Sequence, residues 1–160
     1  MSDLPDSILD YHAMGCQLIQ HEGFVPHAYQ DSEGWWTIGI GRLIDKRKGG
    51  GITREEALYL LRNDIEEKVD DLDYHLPWWR KLDGVRQRVL LDMAFNLGIA
   101  KLLTFKTTLS LIKAGNYEDA ATAMLQSKWA RQVGLRPGQR AHRLASMMRT
   151  GEPPTDIRPC

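Results

Sequence analysis

Helical periodicity dominates this chain, except for one short stretch rich in glycine and aromatics, Phe24 to Gly51. Within that stretch, His27-Ala28-Tyr29-Gln30 and Trp35 through Gly41 carry Thr, Ile, Trp and Tyr, which suit a pleated, half-buried surface. Asp31-Ser32-Glu33-Gly34 separates them. Asp and Ser bond their own backbone in turns, and Gly reaches positive φ without a steric cost. The reading is two antiparallel strands and a turn, with a third strand over Arg42 to Ile44. So small a sheet needs support from other elements.

The flanks read as helices. Ile8, Tyr11, Met14, Leu18 and Ile19 recur at helical spacing, so a first helix is expected from a cap at Asp6 to about Gln20, ended near Gly23. Thr53 followed by Glu56 has the capping-box spacing and opens a helix to about Tyr74, before Pro77. At more than 20 residues it is long enough to bridge two lobes. Asp83 caps a helix holding Val85, Val89, Leu90, Met93 and Leu97. Further helices are expected over Leu102 to Ala114, from an Asn116 cap to about Trp129, and over Gln139 to Arg149 before Gly151. Trp78 and Trp79 read as packing at the end of the long helix.

Composition excludes several classes. Lys+Arg and Asp+Glu are 21 each, so the chain has no net charge and is not a generally cationic nucleic-acid binder. The zero hides an asymmetry. Met1 to Asp73 carry 15 acids against 7 bases, a net of −8, and Tyr74 to Cys160 carry 6 against 14, a net of +8. No stretch approaches the roughly 20 apolar residues of a membrane span. The acidic start, with Asp3, Asp6 and Asp10, lacks the pattern of a secretory signal. Cys16 and Cys160 are too few for a disulfide framework, so free thiols are expected. The histidines have no metal-ligand spacing. Lys46-Arg47-Lys48 before Gly49-Gly50-Gly51 lacks the order of a phosphate loop and reads as a loop at a cleft rim.

Glu22 closes the first helix, Asp31 opens the strand turn, and Thr37 lies on the second strand. Two carboxyls flanking a cleft can cleave a glycoside, one as acid and the other on water or the sugar carbon. The acid must keep its proton near neutral pH, which burial or neighbours must arrange. A hydroxyl can hold the water, since it both donates and accepts. Spacing alone does not select these three, because Asp is common in turns.

The segment His21 to Leu43, HEGFVPHAYQDSEGWWTIGIGRL, resembles the signature of the phage T4-type lysozymes, the glycoside hydrolase family 24 endolysins. The likeness rests on Glu22-Gly23, Tyr29-Gln30-Asp31, Gly34, Trp35-Trp36 and Thr37-Ile38-Gly39-Ile40-Gly41. Weaker similarity continues through Ile52 to Ile65, Phe95 to Gly98, Ser127 to Trp129 and Arg149 to Gly151. The resemblance implies an α+β, two-lobed lysozyme-like fold in a single catalytic domain, 1–160. A small antiparallel sheet lobe with its linking helix would occupy 24–73. A larger helical lobe would combine 6–22 with 74–151, and 152–160 would be a tail.

It also implies roles. Glu22 would be the general acid, Asp31 the residue that activates water, and Thr37 the water-binding hydroxyl. Arg140 would face Glu22 from the last helix and favour its charged form. Leu43, Phe95 and Thr108 match sugar-contacting positions, although Phe95 also fits a core role. Ala123 stands where an asparagine can touch substrate. Arg42 replaces a frequent histidine and would pair with Asp64. One of Trp35 and Trp36 would face the glycan and the other the core.

The implied activity is hydrolysis of the β-1,4 bond between N-acetylmuramic acid and N-acetylglucosamine with inversion, by an endolysin lysing a bacterial host. A monomer acting on peptidoglycan is expected, with no cofactor or metal, no nucleic-acid partner and no stable membrane insertion. It would be made in the host cytoplasm and reach the wall through a holin-type lesion. The rivals are a lytic transglycosylase, which leaves anhydro ends, and a non-catalytic wall-binding protein on the same fold.

Overall fold

The computed structural model describes residues 11–44 and 51–156. The expected Asp6 cap, the Lys46–Lys48 cluster and Cys160 lie outside them. The chain divides into two compact units, Met1–Tyr59 and Leu60–Cys160. The boundary falls within a helix.

The first unit begins with α1, Tyr11–Glu22. The helix stops at Gly23, whose φ is +73° and whose N–H donates to Ile19 O at 2.9 Å. Glu22 is therefore held at a helix terminus. Cys16 is exposed on α1, with Sγ 3.8 Å from His12 Nε2. Three strands follow, β1 (Val25–Gln30), β2 (Trp36–Gly39) and β3 (Arg42–Leu43), in one antiparallel sheet of order β1-β2-β3. Tyr29 pairs with Thr37 and Thr37 with Leu43, so these three form one row across the sheet. Residues paired across strands share a face. The register shifts between Val25 and Tyr29. Among the described residues of this unit, only Thr37 is buried, at 6% exposure.

α2 (Arg54–His75) starts with the expected capping box. Thr53 N donates to Glu56 Oε2 at 2.9 Å, and Glu56 N donates to Thr53 Oγ1 at 3.2 Å. Glu56 has a second partner in Arg42 on β3. Arg42 was expected to meet Asp64, and its carboxylate is Glu56 instead. The capping box uses Glu56 Oε2 and leaves Oε1, in the first turn of α2, for the guanidinium.

The second unit is helical and holds the apolar core. After α2 comes a 3-10 turn, Pro77–Lys81, in which Trp79 is buried and donates Nε1–H to Asp73 Oδ1 at 2.7 Å. α3 (Gly84–Leu97) is capped by Asp83, whose side chain accepts from Val85 N and Arg86 N. The helix expected over Leu102 to Ala114 is two, α4 (Ile99–Leu102) and α5 (Lys106–Lys113). Thr104 breaks it, its hydroxyl and amide both bonding Lys101 O. Such local side-chain bonds compete with helix propagation. The helix expected to reach Trp129 also divides, into α6 (Tyr117–Gln126) and α7 (Lys128–Val133). Ser127 accounts for the break, since its hydroxyl accepts from Ala130 N at 3.0 Å and so caps α7. Asn116 precedes α6 but makes no side-chain cap bond; its amide donates to Leu111 O.

α8 (Arg140–Thr150) packs against α3, α6 and α7 and buries Ala141, Leu144, Ala145, Met147 and Met148. Leu72, Val89, Leu90, Met93, Leu102, Ile112 and Met124 are the other large side chains most deeply buried in this core. Each large apolar side chain so buried contributes about 1.5–3 kcal/mol of transfer free energy. Arg86 closes the end of α8, donating to Met148 O at 2.8 Å and Arg149 O at 3.0 Å, with its guanidinium 3.7 Å from the Tyr117 ring centroid. These bonds satisfy carbonyls that a helix end leaves unpaired. No helix among the described residues is long and apolar enough to cross a membrane.

Candidate active site

Glu22, Asp31 and Thr37 line one open cavity of ≈ 540 Å³ in the first unit. Leu43, Tyr29, Trp35 and Gly41 complete its lining. The local fold explains the convergence. Tyr29, Thr37 and Leu43 are the paired row across the sheet, so they present one face. Trp35 is two residues before Thr37, and alternation along an extended chain puts it on that face and Trp36 on the other. Trp35 lines the cavity accordingly.

Asp31 is fixed by the turn that it makes. Its Oδ1 accepts from Glu33 N at 2.9 Å and from Trp35 N at 2.8 Å. The backbone reinforces this, with Asp31 N donating to Trp35 O at 3.0 Å and Gly34 N to Asp31 O at 3.0 Å. Both side-chain bonds use Oδ1, which leaves Oδ2 outside the turn. Thr37 is almost wholly buried, and its hydroxyl donates to Trp35 O over a long 3.4 Å. A hydroxyl keeps acceptor capacity while it donates. Glu22 is exposed at the end of α1. Its carboxyl lies against Gly41, a neighbour that residue spacing gave no reason to single out.

The other expected site residues belong to the second unit. Phe95 and Arg140 line a cavity of ≈ 320 Å³ in the second unit, with Leu61, Ile65, Leu91 and Asp92. Phe95 is 43% exposed and so is not a core residue. Arg140, expected to face Glu22, donates Nε–H to Asp92 Oδ1 at 2.8 Å. Thr108 lies on α5 and is buried at 4% exposure, beside Leu109. Its spacing on an amphipathic helix marks it as an inward position.

Two carboxyls and a hydroxyl around one open cavity are the equipment of a glycoside hydrolase. The chain matches the phage lysozyme family over residues 19–146 and belongs to that family. It is similar to the "Pre-baseplate central spike protein Gp5" of Enterobacteria phage T4, at 30% identity covering 94% of this chain and 30% of that protein. It is also similar to "Probable T4-type lysozyme 1" of Dictyostelium discoideum, at 28% identity over 81% of this chain and 89% of that one. An "Endolysin" of Bacillus phage B103 is 34% identical over 75% of this chain and 45% of its own length. The chain thus spans less than a third of the spike protein.

Proposed function

We propose that this domain hydrolyses peptidoglycan as a muramidase, cleaving the β-1,4 bond between N-acetylmuramic acid and N-acetylglucosamine. The observation that carries the reading is the placement of Glu22, Asp31 and Thr37 around one cavity in a chain of the phage lysozyme family. Glu22, on a helix end, protonates the leaving oxygen. Asp31, whose Oδ1 is spent on the turn, activates a water with Oδ2. Thr37 holds that water. Attack by water on the face opposite the leaving group inverts the anomeric carbon, and this requires room for water between the carboxyls, about 6.5–9.5 Å. Endolysin relatives support lysis of a bacterial host as the role. Synthesis in the host cytoplasm and passage to the wall through a membrane lesion are part of the same proposal. The protein acts as a monomer without inserting in the membrane.

The test is clearance of permeabilised Gram-negative cells by wild type and by Glu22→Gln, with analysis of the muropeptides. A loss of at least 10²-fold in Glu22→Gln, with new reducing ends formed first as the α-anomer, is expected. Anhydro-muramic ends would make it a lytic transglycosylase. Full activity in Glu22→Gln would remove the general-acid assignment. Similarity to the spike protein favours a second setting for the same chemistry, a lysozyme domain carried on the virion. Detection of the chain in purified particles would place it there.

A further inference from the structure

The β2–β3 hairpin holds two glycines two residues apart, Gly39 at the end of β2 and Gly41 in the turn. Both take a left-handed backbone, with φ of +69° at Gly39 and +63° at Gly41. An L side chain is strained at either position. The space around them differs. A Cβ at Gly39 would meet nothing within 4 Å, whereas a Cβ at Gly41 would fall 2.6 Å from Glu22 Oε2, 2.9 Å from Cδ and 3.0 Å from Cγ. The Glu22 carboxyl occupies the place that any side chain at 41 would take.

We propose that Gly41 is a positioning residue for Glu22, its bare α-carbon being the seat on which the carboxyl rests. This builds on the reading of Glu22 as the general acid. The need for a seat follows from where Glu22 lies. It is exposed at a helix terminus, where burial does not fix the carboxyl. A general acid must come within hydrogen-bond reach of the oxygen that it protonates, and a misplacement of about 1 Å can cost on the order of 10²-fold in rate. The contact is also made across the fold, between the end of α1 and the β2–β3 turn, so it couples the acid to the strands that carry Thr37 and Leu43. Gly39 ends β2, paired with Val25, and a Cβ there would touch nothing.

The pair of glycines supplies its own control. Gly39→Ala and Gly41→Ala introduce the same methyl and similar backbone strain, and comparable falls in Tm are expected. On soluble peptidoglycan fragments, Gly41→Ala should lose about 10²-fold in kcat with KM within threefold. Gly39→Ala should keep kcat within twofold. Gly41→Asn guards against misfolding, because Asn tolerates the left-handed region better than Ala. It should recover much of the lost Tm and none of the lost kcat. Equal kcat losses in the two alanine variants, or recovery of kcat in Gly41→Asn, would reduce Gly41 to a turn residue. A rise in KM alone would mean that the methyl blocks substrate and does not move the acid. Glu22→Gln, run in parallel, separates the two levels. If it is inactive while Gly41→Ala is active, only the positioning fails; if it is active, the general-acid reading fails whatever Gly41 does.

Discussion

In the proposed mechanism Asp31 carries a structural and a chemical duty on different oxygens, and two substitutions pull these apart. Asp31→Ala removes both amide-to-Oδ1 bonds, from Glu33 N and Trp35 N. A typical intramolecular hydrogen bond contributes about 0.5–1.5 kcal/mol net, and more to an ionised acceptor. Water can replace the lost partner at this exposed turn, so a total near the low end, about 2 kcal/mol, is expected. For a chain of this size that lowers Tm by about 4–8 °C. Asp31→Asn keeps a carbonyl oxygen where Oδ1 is and loses only the charge assistance, so its cost is under about 1 kcal/mol. Activity divides differently. Neither variant can take a proton from water, and both should lose about 10²–10⁴-fold in kcat. The assays are calorimetric Tm and reducing-end release from purified wall, on the same preparations. Activity of Asp31→Asn within threefold of wild type would leave Asp31 a turn former only. Equal Tm in the Ala and Asn variants would show that the Oδ1 bonds do not hold the turn.

Other substitutions test the frame. The Arg80 guanidinium and the Trp79 indole N–H hold the Asp73 carboxyl down to about 2, from an ordinary 3.8. A depressed carboxylate stabilises the fold above its unfolded value and loses that contribution as pH falls through its folded one. Between about pH 4 and pH 2, Tm should therefore drop less steeply in Asp73→Asn than in wild type. Leu72→Ala, at the one fully buried position of α2, should cost about 2–5 kcal/mol, read by urea denaturation. Glu56→Ala removes both the capping box of α2 and the partner of Arg42, and a loss of about 0.5–2 kcal/mol is expected by the same measurement. Trp129→Phe loses the 2.8 Å bond from Nε1 to Asn96 Oδ1; because Asn96 is exposed, the cost should stay near 1 kcal/mol, visible as a small shift in Tm.

Features that depend on neighbours in sequence were legible before the structure. The Thr53–Glu56 box, the Asp83 cap and the Asp31 turn all bond within four residues, and each forms as its residue types suggest. The strand row that gathers Thr37 and Leu43 follows from short strands and tight turns. Where two local signals compete, the sequence pattern runs past the true boundary. Ser127 lies within an apolar pattern that continues across it, and its hydroxyl starts a new helix. Thr104 does the same by ending one. Partners chosen over distance were not legible. Nothing in spacing picks Glu56 over Asp64 for Arg42, or Asp92 for Arg140. The contact of Glu22 with Gly41 joins a helix end to a turn 19 residues on, and no local pattern encodes it.

The central place of α8 has a consequence for how the protein is made. Three earlier helices bury their surfaces against this one, and Arg86 on α3 waits for its final carbonyls. Synthesis runs from the N-terminus, and α8 follows every one of those helices. Until it leaves the ribosome, α3, α6 and α7 have no complete surface to pack on. The helical unit therefore closes late, by contacts more than sixty residues apart in the chain, a topology that slows folding. A nascent chain stalled with α8 still in the exit tunnel should be cut readily by protease in α3 and α6, and the same chain released from the ribosome should resist.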